Sequence, residues 1–178
     1  MRSVDPVRPF RGFTLIELLV VLVIIAALAG IAYPIIRSGV NSSRKAACLS
    51  NLKQIGTGLE AYLQDNHQRM PELEAGRASK NEDLPVLETV LIEYLETPDV
   101  FHCPADSKEF KASGCSYLWN PTQSGLHVTK LEFFGTDDAS RIPLVIDKEA
   151  WHGGETTGSN FLYADQSAEN RVRFSTSP

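Results

Sequence analysis

The sequence predicts an α+β fold in which one long N-terminal helix packs on a small antiparallel β-sheet. Residues 13–36 form an apolar run that contains a single charge, Glu17. Apolar residues then recur at three- and four-residue steps to about residue 66, which is typical of a helix with one buried face. Short apolar segments separated by turn-forming residues occupy the C-terminal half, as in a series of short strands.

The first part of this helix is long enough to cross a membrane. Residues 13–33 would span roughly 31 Å as a helix, close to the hydrocarbon thickness of a bilayer. The basic residues Arg2, Arg8 and Arg11 precede the run and are expected to stay cytoplasmic, which leaves the body of the protein outside. The alternative is a secretory signal, because residues 26–29 weakly match a cleavage site for signal peptidase.

Pro34 lies near the end of the apolar run and is expected to kink the helix without ending it, because helical periodicity resumes beyond it. Gly56 and Gly58 then either are tolerated within the helix or mark the close approach of the sheet. The predicted buried stripe of this second half consists of Cys48, Leu49, Leu52, Ile55, Leu59, Tyr62 and Leu63.

The rest of the body is expected to form one short helix and a small sheet. The helix is predicted at residues 84–96, with Pro85 in its first turn, where proline is tolerated. The predicted strands are residues 116–119, 142–146, 161–163 and 172–174.

The composition argues against several classes of function. The chain has 178 residues, enough for one domain of ordinary size, and a net charge of −5. An acidic body argues against nucleic acid as a partner, since phosphate contacts need clustered Lys and Arg. The 4 histidines are scattered, and the glycine-rich residues 153–158 lack the lysine of a phosphate-binding loop. We therefore expect no enzymatic activity.

Residues 11–18, with the sequence RGFTLIEL, resemble the processing site of type IV prepilins and of the pseudopilins of type II secretion. The similarity combines a basic leader ending in Gly12, a phenylalanine at Phe13, and Glu17 as the fifth residue after the leader. It implies a pilin-like fold. It also implies that a prepilin peptidase cleaves between Gly12 and Phe13 and methylates the new N-terminus of Phe13.

The resemblance also implies a domain organisation and a role for Glu17. Residues 1–12 would be the leader, residues 13–36 the transmembrane and assembly half of the helix, and residues 37–178 an extracytoplasmic globular domain. The Glu17 carboxylate would meet the N-terminal amine of Phe13 in a neighbouring subunit, because a buried charge is tolerated when it is paired. The alternative is a glutamate at the membrane interface with no role.

The sequence thus predicts a structural subunit of a type II secretion pseudopilus or of a type IV pilus-like filament. It is expected to be a single-pass protein of the inner (cytoplasmic) membrane. The implied partners are prepilin peptidase, other pilin or pseudopilin subunits, an inner-membrane assembly platform and membrane lipid. The alternative is a membrane-anchored extracytoplasmic enzyme or binding domain that uses the helix only as a tether, and a tether needs neither the Gly12–Phe13 junction nor Glu17.

A thinner similarity, to a subgroup of bacterial pilin-like proteins, covers the C-terminal half. It is carried by a Cys-Pro-x-Asp stretch at residues 103–106, a Ser-Tyr-x-x-Asn stretch at residues 116–120, and a late segment from His152 to Asp165. After Asp165 the sequence Gln-Ser replaces the subgroup's usual Gly-His. No role of that glycine and histidine is carried over to this chain.

The chain contains 3 cysteines, which allow one disulfide in an exported body. We predict a disulfide between Cys103 and Cys115, and we assign Cys48 to the core as a small buried residue. A zinc site that adds His102 and His127 to Cys103 and Cys115 fits no compact zinc spacing and is disfavoured.

Calcium is the one cofactor that the sequence leaves open. A solvated acidic surface is the preferred interpretation of the C-terminal carboxylates, so we expect no cofactor and no resident metal. The carboxylates that would otherwise supply calcium ligands are Asp147, Glu149, Glu155 and Asp165.

Overall fold

The computed structural model describes residues 13–153 and 158–173, and the chain divides after Val40 into two compact units. Within the described residues, the first unit is the N-terminal part of one long helix. The second unit contains the remainder of that helix, several short helical turns and a β-sheet. The domain boundaries predicted at residues 12/13 and 36/37 stay predictions.

Helix α1 spans Leu15–Asp65 and continues through Pro34, so the proline does not end it. The kink at Pro34 stays a prediction. Residues 13–44 are all exposed, and most of the large side chains among them are apolar around the whole helix. A helix that is apolar all round needs a cover of lipid or of other protein. Of the helices in the described part of the chain, α1 alone is long and apolar enough to cross a membrane.

The second half of α1 buries one face in the body of the protein. The side chains of Leu52, Ile55 and Leu59 are fully buried there, as the sequence predicts. They pack in one core with residues of the sheet and of the segment that follows α1, among them Trp119 and Leu162. Burying large apolar side chains against a sheet is the main source of stability for a helix of this kind.

The sheet has four antiparallel strands in the order β1-β2-β3-β4. Its register pairs Tyr117 with Asp147 and Leu162 with Ala168. The sequence predicts the first three strands correctly. The strands are β1 Tyr117–Trp119, β2 Pro143–Asp147, β3 Phe161–Tyr163 and β4 Ala168–Glu169.

The strand predicted at residues 172–174 is wrong for its described residues, because the fourth strand lies at Ala168–Glu169. A tight turn directly after β3 reverses the chain direction into β4. Within it, Tyr163 N donates to the Ser167 carbonyl (2.9 Å), and Gln166 adopts a φ of 65°. The Arg173 N–H then donates to the Tyr163 hydroxyl (3.0 Å), so it does not join a strand ladder.

The second helix is shorter than its prediction. Helix α2 spans Leu87–Val90 and a 3₁₀ turn follows at Leu91–Tyr94, so Pro85 lies before the helix and not in its first turn. The Pro85 carbonyl instead accepts a hydrogen bond from Glu74 N (2.8 Å), which holds it in extended structure. Another short helix, α3, spans Glu109–Ser113.

Gly56 is where α1 and the sheet approach closely, as one of the two interpretations of the helical glycines predicts. A Cβ at Gly56 would lie 3.2 Å from Leu162 Cδ1 in β3 and would clash with the Gln166 amide. A Cβ at Gly58 would lie 2.9 Å from Leu95, beyond α2. The observed architecture is therefore α+β, with a long N-terminal helix packed on a small four-stranded antiparallel sheet.

Candidate functional site

The N-terminus of α1 is closed by a reciprocal pair of side chains. Thr14 precedes the helix, and its hydroxyl accepts a hydrogen bond from Glu17 N (3.3 Å). The Glu17 carboxylate in turn accepts from Thr14 N (2.9 Å) and from the Thr14 hydroxyl (2.6 Å). This is a capping box, in which a threonine and a glutamate three residues later satisfy the free N–H groups of the first turn.

The capping box gives Glu17 a partner inside its own chain. Neither of the two interpretations made from the sequence, an intersubunit pair or a glutamate at the membrane interface, includes this contact. The Thr-x-x-Glu spacing at residues 14–17 is nevertheless the sequence signal for such a cap. A negative charge in the first turn is also favourable beside the positive end of the helix dipole. Phe13 is 80% exposed next to the cap, whereas Gly12 lies outside the described residues. The assembly role of Glu17 stays a prediction.

A disulfide joins α1 to the segment after a 3₁₀ turn, and its pairing differs from the prediction. Cys48 is bonded to Cys103, with Cα atoms 5.0 Å apart and a sequence separation of 55 positions. Cys115, the predicted partner of Cys103, is a free buried thiol. The prediction of a Cys103–Cys115 disulfide is therefore wrong. Cys48 is buried in the core as predicted, but it is bonded to Cys103.

The observed cysteine pairing follows from which elements of the fold lie against each other. The buried face of α1 carries Cys48 onto Cys103, whereas the Cys115 sulfur accepts a hydrogen bond from Tyr117 N (3.3 Å). Burial, followed by the nearby Glu88 carboxylate, raises the pKa of the Cys115 thiol. A crosslink that closes a loop of this length contributes about 4 kcal/mol by the chain-entropy argument.

The residues of the C-terminal similarity surround this disulfide. The Nε2 atom of His152 lies 3.1 Å from the Cys103 sulfur and 3.8 Å from Asp147 Oδ2. Asn160 N donates to the same Asp147 oxygen (2.7 Å). In a catalytic triad the nucleophile and the orienting acid contact different ring nitrogens of the histidine. Here the sulfur and the carboxylate both approach Nε2 of His152, so the three groups do not form a triad.

A second set of polar contacts explains the Cys-Pro-x-Asp and Ser-Tyr-x-x-Asn stretches. Asp106 accepts hydrogen bonds from the backbone N–H groups that begin α3 and from the Ser116 hydroxyl (2.6 Å). The Ser116 hydroxyl also accepts from Cys103 N (3.0 Å), and Asn120 donates to the Pro143 carbonyl (2.8 Å). These contacts hold together the segments on both sides of β1 and the first residue of β2.

Burial moves the pKa values of two of these groups. It raises the pKa of Asp147 to about 7, although hydrogen bonds from Asn160 act in the opposite direction. Burial, followed by the charge of Lys45, lowers the pKa of His152, which favours a neutral ring. For Asp106 burial would raise the pKa, but the Ser116 hydroxyl and the backbone donors outweigh it and hold the pKa below its usual range.

An open cavity of about 360 Å³ lies beside His152. Its wall carries the positive side chains Arg44 and Lys45 of α1 and the indole of Trp151. Lys45 is tied to Asn170 by a hydrogen bond of 2.8 Å. The remaining lining residues are Asn41, Ser42, Ala105 and Gly153.

The residues of the disfavoured zinc set are not brought together. His102 stacks on Phe110 with ring centroids 4.5 Å apart, and His127 bonds to Thr129 (2.9 Å) at the start of a 3₁₀ turn. The group of metal-type ligands that does converge among the described residues consists of Cys48, Cys103 and His152.

The carboxylates considered as calcium ligands are likewise not grouped in one place among the described residues. Asp165 pairs with Arg173 (3.3 Å), and Glu149 accepts a hydrogen bond from the indole of Trp151 (3.1 Å). Asp147 is buried beside His152, and Glu155 lies outside the described residues.

A search against protein families matches residues 7–33 to the prokaryotic N-terminal methylation motif. No curated protein and no solved structure matches the chain. A single apolar helix that opens the chain and then packs on a small sheet is the architecture of a pilin-like α+β protein. The motif at its start is the prepilin-type signature of type IV pilins and pseudopilins, and this chain carries it.

Proposed function

We propose that this protein is a structural subunit of a pilin-like filament and that a prepilin peptidase cleaves it between Gly12 and Phe13. The observation that carries the proposal is the methylation motif at residues 7–33, directly continuous with the exposed apolar half of α1. Lipid would cover that half before assembly, and the helices of other subunits would cover it in the filament.

Within this class we favour a type II secretion pseudopilus. Two features support it: the body is small, and no long loop is closed by a pair of cysteines at the C-terminal end, since the third cysteine is Cys115. The body would lie outside the cytoplasm, with Arg2, Arg8 and Arg11 on the cytoplasmic side of the inner membrane.

Glu17 would exchange partners on assembly. In the single chain its carboxylate closes the capping box with Thr14. In the filament it would pair with the methylated amine of Phe13 in a neighbouring subunit, and this pairing would favour one stagger between adjacent helices.

The test is cleavage of a Gly12→Leu chain co-expressed with prepilin peptidase. We expect it to keep its leader, because a bulky side chain replaces the glycine at the cleaved bond, while a Gly30→Leu control within the apolar run should be processed normally. Intact-mass measurement reports both the leader and the methyl group. A mature mass for the Gly12→Leu chain would contradict the proposal, and an uncut wild-type chain would favour the alternative of a tethered exported domain.

A further inference from the structure

Two cysteine sulfurs and one imidazole nitrogen converge in the core of the body. The ligand atoms of Cys48, Cys103 and His152 all lie within 4.8 Å of one another, and all three side chains are buried. Thiolate and neutral imidazole are the ligands that zinc-like cations prefer. We propose that, when the disulfide is reduced, these three side chains bind a thiophilic divalent cation of the Zn²⁺ type, with the Asp147 carboxylate as the fourth ligand.

Asp147 adjoins the cluster on the side of His152, although its carboxylate is outside the set of ligand atoms that lie within 4.8 Å of one another. Its Oδ2 atom lies 3.8 Å from His152 Nε2, and its Oδ1 atom is buried with no hydrogen-bond partner. Buried polar atoms in native proteins are nearly always satisfied, so a water molecule or a cation is expected beside this Asp147 oxygen.

Metal binding requires the two sulfurs to separate and the Asp147 carboxylate to move towards them. In a tetrahedral site with Zn–S near 2.3 Å and Zn–N near 2.0 Å, two sulfurs lie about 3.8 Å apart and a sulfur lies about 3.5 Å from a nitrogen. The Cys103 sulfur already lies 3.1 Å from His152 Nε2. The two sulfurs therefore need to separate once their bond is broken, which rotation about the side-chain torsions of Cys48 and Cys103 supplies.

The chemistry has two balanced steps. A dithiol reductant supplies two electrons and two protons, so the Cys48–Cys103 bond becomes two thiols and the reductant becomes a disulfide. The cation then displaces one proton from each thiol and is held by two thiolates, the His152 ring and the Asp147 carboxylate. Because the same sulfurs serve both forms, the disulfide and the metal exclude each other, and either one links α1 to the segment at Cys103.

An open cavity of about 360 Å³ adjoins the site at residue His152, whose side chain is itself only 2% exposed. The cavity wall carries Arg44 and Lys45, whose positive charges repel an approaching cation and slow its uptake. Binding is therefore to be measured at equilibrium and not as a rate.

The test uses the full chain in detergent, reduced anaerobically with a phosphine and titrated with Co²⁺ alone as the probe. We expect one equivalent to bind with the intense absorption of tetrahedral thiolate coordination, and we expect no such absorption from the oxidised chain. Excess Zn²⁺ should abolish the absorption. A reduced chain that gives no thiolate absorption would overturn the proposal.

Variants assign the ligands. Cys115→Ser is the matched control, because it removes the other buried thiol, and it should bind as the wild type does. His152→Gln should weaken Co²⁺ binding by at least about tenfold and change the absorption, since it removes one ligand. The oxidised His152→Gln chain, checked by near-ultraviolet circular dichroism, shows whether the fold is retained. A folded His152→Gln chain with wild-type binding and absorption, or loss of binding in Cys115→Ser, would overturn the assignment.

Discussion

At the scale of single residues, Glu17 has a local function and a proposed intermolecular one. Its carboxylate satisfies the N-terminus of α1 through Thr14 in the single chain. The same carboxylate is proposed to meet the amine of a neighbouring Phe13 in the filament. The two functions differ in what they require, because a neutral amide can complete a capping box but cannot pair with a charged amine.

Replacing Glu17 by glutamine separates the two functions. We expect Glu17→Gln to insert in the membrane normally but to enter filaments poorly, since it keeps the cap and loses the charge. Thr14→Ala is the matched control: it loses about 1 kcal/mol of cap stability and keeps the charge, so it should still assemble. Incorporation is measured in sheared filaments beside the wild type. Undiminished incorporation of Glu17→Gln would argue against the register role.

Asp147 makes stability depend on pH. Its pKa rises from an ordinary 3.8 to about 7 on burial, so the folded chain binds this proton more tightly than the unfolded chain. Its contribution to stability is therefore complete below about pH 4 and is lost as the pH rises to about 7. By linkage the loss is on the order of 4 kcal/mol.

The prediction is that Asp147→Asn flattens this fall. Urea midpoints of the detergent-solubilised wild type should decrease between pH 4 and pH 7, whereas those of Asp147→Asn should change much less. His152 acts in the opposite sense, because its pKa is lowered and its folded form releases a proton below the usual 6.5. Asp83→Asn, at another exposed carboxylate, is the control and should keep the wild-type slope. Parallel slopes for wild type and Asp147→Asn would refute this account.

At the scale of elements, the disulfide and Gly56 fix how the second half of α1 lies on the body. The Cys48–Cys103 bond crosslinks α1 to the segment before α3. Gly56 allows Leu162 of β3 to approach the helix backbone. One contact is covalent and the other is steric, and each has a separate test.

Alkylation without reductant tests the pairing of the cysteines. When the chain is unfolded in denaturant, we expect a single label on Cys115, because Cys48 and Cys103 are bonded to each other. Reduction before alkylation should give three labels, which is the control for access. A label on Cys48 alone would instead support the Cys103–Cys115 pairing.

Gly56→Ala tests the steric contact. Alanine favours a helix by about 1 kcal/mol over glycine, but here its Cβ would press on Leu162 and Gln166. We expect a net destabilisation of about 1 kcal/mol, since overpacking a core typically costs 1–3 kcal/mol. Gly39→Ala, whose Cβ would meet nothing within 4 Å, is the control and should not destabilise the chain. The measurement is urea unfolding followed by tryptophan fluorescence, and a more stable Gly56→Ala chain would contradict the close approach.

At the scale of the whole molecule, the chain joins two segments that require different surroundings. The exposed residues 13–44 are dominated by large apolar side chains up to Ile36, whereas the second unit buries its apolar residues in a core of its own. Such a division suits a subunit whose first segment is covered by lipid and then by neighbours, while its body folds independently of them.

By itself, the sequence determined the main elements and the prepilin-type motif. Hydrophobic periodicity and the motif are local patterns, so α1, the first three strands and the motif at residues 11–18, within the matched residues 7–33, could be predicted from it. The fourth strand was not predictable in this way. The chain turns at Gln166, so the strand lies at residues 168–169 and not at the predicted residues 172–174.

Only the tertiary structure decided which distant residues meet. Cysteine connectivity depends on which faces of α1 and of the following segments oppose each other, and sequence spacing carries no such information. It was packing that placed Cys48 on Cys103 and then set His152 and Asp147 beside them. Burial, which no local pattern reveals, gives Asp147 its raised pKa.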